Sequence, residues 1–375
     1  MKKIKLIFKH LISFFISFYL IIVFLLSLFL LVSIQVSLVI NIMMILFSFG
    51  LFCFCIYKFV SAKQSFHLLY FKGLSGLLSF TFLTITTFFV LIFFFSINLM
   101  ISNEPSKHLT VEEKFNLYMI LFRENQTSQT NYNAIKEKKL VQSYLNVEIY
   151  YEPDERDLLP IIKQNLDTAD SITTSLFGSV KDNEIDLILH PSTEELYKST
   201  KLFDTMGYFD DPNDTLGVAI SDLEEIVADR MPGTFYFQST LMHEYTHYRL
   251  QAFIKEQGLF VYKVPLWFHE GVAEFVGMSD VTQRYYPFRE TSFTKLVTHD
   301  DWEKYRLKNY DVYLQSFYAI QYIVNQYGET MIKSIIEETA KANDFNEGFT
   351  QATGITIDDL QTLYLVEAKQ SDDET

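Results

Sequence analysis

Acidic side chains are missing from the first hundred residues, although the chain of 375 residues carries 46 of them. The same stretch contains three long apolar runs, at residues 11–33, 37–57 and 77–101. Each run reaches the roughly 20 residues that a helix needs to cross a bilayer. A cleaved signal peptide would have a shorter apolar core and a small-residue cleavage site, and neither is evident. We therefore expect three membrane-spanning helices in a membrane domain at residues 1–101.

Cysteine is almost absent too, since the chain has only Cys53 and Cys55 and both lie in the second apolar run. The remainder cannot be stapled by disulfides, so it must fold by burying an apolar core. Beyond residue 101 there are 24 basic residues against all 46 acidic ones, a formal charge of −22. A charge of this sign excludes binding to nucleic acid or to an anionic membrane surface.

Lysines flank the apolar runs on alternate sides. Four lie within residues 2–9, ahead of the first run, and Lys58, Lys63 and Lys72 lie between the second and third. The excess of positive charge on cytoplasmic loops then places the N-terminus and this second loop in the cytoplasm. Three crossings leave everything after about residue 102 outside the cell. We expect a multi-pass protein of the cell membrane with an extracellular domain.

Residues 243–247, His-Glu-Tyr-Thr-His, contain two histidines at a spacing that would let both bind one metal ion if the segment is a helix. His243 and His247 are four residues apart, so on a helix both can offer a ring nitrogen to one ion. Glu244 is rotated about 100° from His243, close to the ion without binding it. This is the arrangement of a general base that acts on water at a zinc ion. Such a string arises by chance in roughly one chain in a hundred of this length, so the downstream sequence decides.

A second motif at residues 265–275, Pro-Leu-Trp-Phe-His-Glu-Gly-Val-Ala-Glu-Phe, follows in the right order. Together the two motifs resemble those of the gluzincins, a family of zinc peptidases. Within that family they are most similar to the collagenase-like and aminopeptidase-like branches. The resemblance implies that Glu270 is the third metal ligand. Glu274 is four residues further on and faces the same way, so periodicity alone does not choose between the two carboxylates. The family pattern leaves Glu274 to orient a ligand.

A peptidase of this kind needs a hydrogen-bond donor for the oxyanion that develops on the substrate. The resemblance implies a Tyr or His from a later helix, and apolar spacing predicts a helix at about residues 311–327. Tyr313 is our first choice for the donor and Tyr318 our second. His190 has no metal-like spacing and is interpreted as structural. His269 is interpreted as a residue of the cleft wall or of the surface.

The fold that these patterns predict is α+β, with the membrane helices followed by a gluzincin-like peptidase domain. Residues 102–143 are polar with helical spacing and predict a helical stalk or linker, and the peptidase domain then covers residues 144–375. Its small mixed sheet, active-site helix and helical C-terminal part follow from the resemblance. Predicted elements are strands at 147–151, 185–190 and 215–220, a turn at 207–214 and the His243 helix at about 233–254. The resemblance also makes residues 217–220 the sheet edge that aligns the substrate backbone.

These expectations combine into one hypothesis, a membrane-anchored peptidase that holds Zn²⁺ and acts on peptides or proteins, with Glu244 as general base. Two alternatives remain open. A non-catalytic surface or sensor module could retain the same metal site. An intramembrane metalloprotease also uses this motif but carries it in a spanning helix. Gln238, Arg249 and Lys255 are too polar for that setting.

Overall fold

The computed structural model describes residues 2–61, 67–68, 71–102, 111, 132–181, 183–202, 204–279 and 288–373. The chain divides into two compact units, Met1–Thr127 and Ser128–Thr375. Most of the predicted linker at residues 102–143 lies outside the described residues.

The first unit contains three long helices, α1 (Lys2–Leu31), α2 (Ile34–Val60) and α3 (Gly73–Ser102). A short hairpin of β1 (His67–Leu68) and β2 (Phe71–Lys72) precedes α3. Apart from the lysines at the start of α1 and at the end of α2, the three helices are apolar on all sides, which is typical of helices surrounded by lipid. Three candidate spans, Leu11–Leu31, Val36–Val60 and Gly73–Ser96, confirm the prediction of three helices that are long and apolar enough to cross a membrane.

The second unit is built on a five-stranded mixed sheet in the order β3-β4-β5-β7-β6. Its strands are β3 (Leu140–Tyr144), β4 (Val147–Tyr151), β5 (Ile185–His190), β6 (Gly207–Asp210) and β7 (Thr215–Ala219). The three central strands are parallel, and the two edge strands are antiparallel to their neighbours. The predicted strands in β4, β5 and β7 are confirmed. The five residues of β7 are all buried, as expected for a strand with a neighbour on each side and a covered face.

Two strands lie where the sequence predicts something else. The end of the predicted helical linker is strand β3, which pairs with β4 through a tight turn at Leu145, where φ is +52°. Residues 207–210, predicted as part of a turn, form β6 and pair with β7 from Gly207↔Val218 to Asp210↔Thr215. Because β6 is the last strand, the prediction that residues 217–220 form the sheet edge is wrong. The edge nearest the His243 helix is β6.

Helices cover the sheet and complete the unit. In chain order they are α4 (Tyr132–Lys136), α5 (Leu159–Phe177), α6 (Thr193–Thr200), α7 (Leu223–Val227), α8 (Gly233–Glu256), α9 (Leu266–Gly277), α10 (His299–Arg306), α11 (Val312–Tyr327), α12 (Met331–Ala342), α13 (Phe345–Thr353) and α14 (Ile357–Asp373). Helix α8 packs against the sheet, α5 and α9, and α9 packs in turn against α11. One apolar core runs through these layers. Buried on most sides, α8 can hold polar side chains away from bulk water.

Candidate metal centre

Three side chains from α8 and α9 converge on one point. His243 and His247 present their Nε2 atoms 3.0 Å apart. Oε2 of Glu270 lies 3.3 Å from Nε2 of His243 and 3.6 Å from Nε2 of His247. The structure thus brings together the three residues that the sequence predicts as ligands, as a group that could hold a metal ion.

The spacing of these atoms can be compared with what zinc requires. Zinc bonds to imidazole nitrogen or carboxylate oxygen are about 2.0–2.1 Å long, so neighbouring ligands of a tetrahedral site lie about 3.3–3.4 Å apart. The three observed separations, 3.0, 3.3 and 3.6 Å, bracket that value. Two imidazoles and one carboxylate also leave a fourth position for water or substrate, as in catalytic zinc sites. The donor set therefore fits zinc.

The position of Glu270 depends on how α9 is held. The first two backbone N–H groups of α9, at Leu266 and Trp267, donate to the carbonyls of Val297 and Leu296, both at 3.0 Å. Next to Glu270, Gly271 lies so close to α11 that an added Cβ would be 2.7 Å from the carbonyl oxygen of Ser316. A glycine there lets two helix backbones approach closely, so the second motif positions the ligand through packing.

Both ring nitrogens of His243 face carboxylates. Nε2 faces Glu270, and Nδ1 lies 3.2 Å from Oε1 of Glu274. Both carboxylates belong to α9. Burial lowers the pKa of His243, but hydrogen bonds to Glu270 and Glu274 outweigh burial and raise it well above 6.5. Burial also opposes ionisation of Glu270, yet His247 and His243 hold the pKa of Glu270 far below its usual range. Glu270 is therefore ionised, as a metal ligand must be.

Glu244 lies beside this cluster and is also buried, with 8% of its surface exposed. Burial is the largest cause of its raised pKa, which the two imidazoles partly offset. The edge strand passes directly beside it. A Cβ added to Gly207 would lie 3.0 Å from Oε1 of Glu244 and 2.5 Å from Cγ2 of Thr240. Only a glycine at the start of β6 leaves room for both side chains of α8.

The two tyrosine candidates have different surroundings. The ring centroid of Tyr313 is 6.4 Å from that of His243, and 37% of Tyr313 is exposed. Burial and the nearby Glu270 and Glu274 raise the pKa of its hydroxyl. Tyr318 is five residues on, rotated about 140° round α11. It is buried in the core and stacked on Phe288. Of the two predicted donors, Tyr318 therefore lies in the core, and Tyr313 lies beside His243.

His190 and His269 are both buried. His269 is not a surface residue, because it is buried with its Nε2 3.2 Å from the carbonyl oxygen of Val261. His190 lies in β5 with its Nε2 3.2 Å from the Tyr208 hydroxyl. Burial lowers the pKa of each to about 4. Both are therefore neutral at pH 7.

Two residues that shape the site are not indicated by any sequence motif. Gly207 precedes an aromatic and acidic run that favours a turn, and nothing local shows that it borders Glu244. Trp302 is 1% exposed, and its ring meets that of Tyr313 edge-on, with centroids 4.9 Å apart. The chain has only two tryptophans. The presence of one of them in the polar sequence of α10 is the only signal that this helix packs against other elements.

An open cavity of about 390 Å³ lies at the N-terminal end of β6. Its lining residues are Thr193, Glu194, Tyr197, Asp204, Thr205 and Met206. The last of these directly precedes the glycine that borders Glu244. The cavity thus lies beside the chain segment that leads into the edge strand.

No protein-family model matches the chain. The chain is 30% identical over 246 residues to the uncharacterized protein YhcO of Bacillus subtilis (strain 168), an alignment that spans 65% of this chain and 76% of YhcO. At that identity and coverage, the chain belongs to the same protein family as YhcO.

Proposed function

We propose that this protein is a membrane-anchored zinc peptidase of the gluzincin type. The observation that carries the proposal is the convergence of His243, His247 and Glu270, with Glu244 beside them and an edge strand alongside. A structural metal site would be closed by a fourth protein ligand. Three ligands, a buried carboxylate and an exposed tyrosine are typical of a site that performs hydrolysis.

Bound by the three ligands, zinc would supply Lewis-acid activation of a water molecule and of the scissile carbonyl. Glu244 accepts the proton that the attacking water loses, and then delivers it to the leaving amine nitrogen. Burial beside the two imidazoles keeps the Glu244 carboxylate away from bulk water, next to the position that the attacking water would occupy. The Tyr313 hydroxyl donates to the carbonyl oxygen as negative charge develops there. The raised pKa of Tyr313 keeps this donor protonated at neutral pH.

The substrate backbone is aligned by β6. Because the Ala219 N–H donates to the Met206 carbonyl, the backbone groups of Met206 and Tyr208 face β7. In an antiparallel pair these groups alternate, so those of Gly207 and Phe209 face the outer edge. An extended peptide that adds to this edge bonds there, with the peptide group opposite Gly207 beside Glu244.

The placement of the site supports a peptidase outside the bilayer. Among the described residues, the three candidate spans do not include α8, the helix that carries His243. An intramembrane protease would need that helix in the bilayer. The distribution of lysines around the spans supports a cytoplasmic N-terminus and an extracellular catalytic unit.

The test compares the full-length protein in detergent with its Glu244→Gln variant. Zinc content is measured directly, and cleavage is measured on an unfolded protein, with and without a chelator. We expect both proteins to hold one zinc ion, and the variant to cleave roughly 10²- to 10⁴-fold more slowly. Glu337→Gln, at a half-buried carboxylate of α12 that pairs with Lys333, is the matched control and should cleave normally.

Two results would contradict the proposal. If the variant cleaves at the parental rate, Glu244 is not the base. If the parent binds zinc but cleaves no unfolded protein or peptide, the site belongs to a non-catalytic module.

A further inference from the structure

We propose that Trp302 is a positioning residue that holds the Tyr313 side chain towards the metal centre. The inference rests on the proposed function, because it concerns the residue that would stabilise the oxyanion. Among the described residues, Trp302 makes its ring contact with Tyr313, and its effect on the metal centre passes through that side chain.

The backbone of Tyr313 is fixed by bonds on both sides of it. Before it, Asp311 exchanges hydrogen bonds with Arg289, whose N–H donates to Oδ2 of Asp311 at 2.8 Å. After it, the fully buried Gln315 accepts from the Thr291 N–H at 2.9 Å and donates to the Thr291 carbonyl at 2.6 Å. These contacts set where α11 begins. They do not set the rotamer of a side chain that is more than one-third exposed.

The ring contact with Trp302 does set that rotamer. The two rings are nearly perpendicular, at 86°, with centroids 4.9 Å apart. This is the edge-to-face geometry that aromatic pairs prefer, within the usual range of about 4.5–7 Å. The Tyr313 ring also lies near His243, with centroids 6.4 Å apart. Tyr313 therefore has a buried indole and a proposed metal ligand as ring neighbours.

Trp302 is itself fixed by the anchoring of α10. Thr298 caps the helix by accepting from the Asp301 N–H. The two residues just before that cap, Leu296 and Val297, give their carbonyls to the start of α9, the helix of Glu270. Residues 296–298 therefore fix the start of α9, which carries Glu270, and the start of α10, which carries Trp302.

The far end of α10 is anchored to the loop that enters β6. Arg306 donates to Oδ2 of Asp204 at 2.8 Å, three residues ahead of Gly207. Helix α10 therefore joins the ligand helix, the donor helix and the approach to the edge strand. Its buried tryptophan is the residue that meets the reactive side of the cleft.

A purely structural role for Trp302 would lower stability but would not act through one hydroxyl. The test therefore uses a double-mutant cycle on the full-length protein. Variants are Trp302→Leu, which removes the ring, and Trp302→Phe, which keeps an edge-to-face partner, each made in the parent and in Tyr313→Phe. Phe349→Leu is the control, because this buried core ring contacts Phe345 and not Tyr313.

We expect Trp302→Leu to lower kcat by roughly three- to tenfold, the rate equivalent of one ring pair. KM and zinc affinity should not change, because the contact acts on the transition state. Trp302→Phe should restore most of the rate, and Trp302→Leu should cost nothing further when Tyr313 is already Phe. An equal loss of kcat in the Tyr313→Phe background would overturn the inference.

A second readout does not depend on cleavage. With 3-fluorotyrosine at position 313, the ¹⁹F resonance should shift and broaden in Trp302→Leu, and should not change in Phe349→Leu. An unchanged resonance in Trp302→Leu would show that the indole does not hold the ring. If the parent cleaves no substrate, the proposed function fails, and this resonance still decides whether Trp302 positions Tyr313.

Discussion

Oε1 of Glu274 lies 3.2 Å from Nδ1 of His243, while Nε2 of the same ring faces Glu270. Two carboxylates one helical turn apart thus occupy opposite sides of one imidazole. A bond from Nδ1–H to Glu274 fixes the tautomer in which Nε2 carries the lone pair that a metal needs. The two acids that sequence periodicity leaves equivalent therefore have different positions around His243.

Replacing Glu274 with Gln should weaken zinc binding by about 10- to 100-fold, the usual effect of losing the partner of a metal-bound histidine. The amide is the same size but carries no charge to support the His243 N–H. Competition with a chelator of known affinity measures the change. Glu337→Gln is the control. Unchanged zinc affinity in Glu274→Gln would mean that Glu274 does not orient His243.

Replacing Gly207 with Ala should lower cleavage by roughly 10- to 100-fold while zinc remains bound, since small displacements of a catalytic group have effects of this size. The new methyl group would meet both Thr240 and Glu244. Adding Thr240→Ser removes the closer contact, Cγ2, and leaves the contact with Glu244. Rates of the single and double variants separate the two causes. Full recovery in the double variant would show that Glu244 itself is not displaced.

Replacing Gly271 with Ala should destabilise the second unit by about 1–3 kcal/mol, because the contact is with the α11 backbone, which cannot move aside as a side chain can. The substitution should also weaken zinc binding, because Glu270 directly precedes Gly271 in the chain. Gly348→Ala is the matched control, with its added Cβ 2.3 Å from the Thr339 nitrogen. This variant should lose stability and keep its zinc affinity. Equal effects on zinc affinity would contradict a specific role for Gly271.

Acid should destabilise the second unit partly through His190. Burial, and to a smaller extent Lys139, lowers its folded pKa to about 4, whereas the unfolded pKa is about 6.5. The unfolded state therefore binds more protons between these values. Above pH 6.5, His190 is neutral in both states and costs no stability. As the pH drops from 6.5 towards 4, the free energy of unfolding falls by up to about 1.4 kcal/mol per pH unit.

The measurement is urea unfolding at pH 5 and pH 7.5, followed by tryptophan fluorescence. Both tryptophans, Trp267 and Trp302, lie in the second unit, so the signal reports on it alone. His190→Gln keeps a hydrogen-bonding group beside Tyr208 but cannot gain a proton in this range. The difference in unfolding free energy between the two pH values should shrink in this variant. An unchanged difference in this variant would show that His190 does not carry the pH dependence.

The sequence predicted the features that depend on local spacing. Apolar runs of sufficient length gave the three candidate spans, and alternation gave β4, β5 and β7. The four-residue spacing of His243 and His247 fixed their common face, because helix geometry is the same wherever a helix lies. The family resemblance added Glu270, which the structure places within reach of both imidazoles.

Other features were decided only by contacts between residues far apart in the chain. Strand pairing made β6 the sheet edge and moved β7 inside, although a strand has the same local geometry in either place. Because of how α11 packs, Tyr318 lies in the core, whereas Tyr313 is partly exposed and contacts Trp302 of α10. Packing of α9 against α8 likewise decided which nitrogen of His243 each of Glu270 and Glu274 faces. Local periodicity fixes the direction of a side chain relative to its own element, and only the packing of elements decides what that side chain faces.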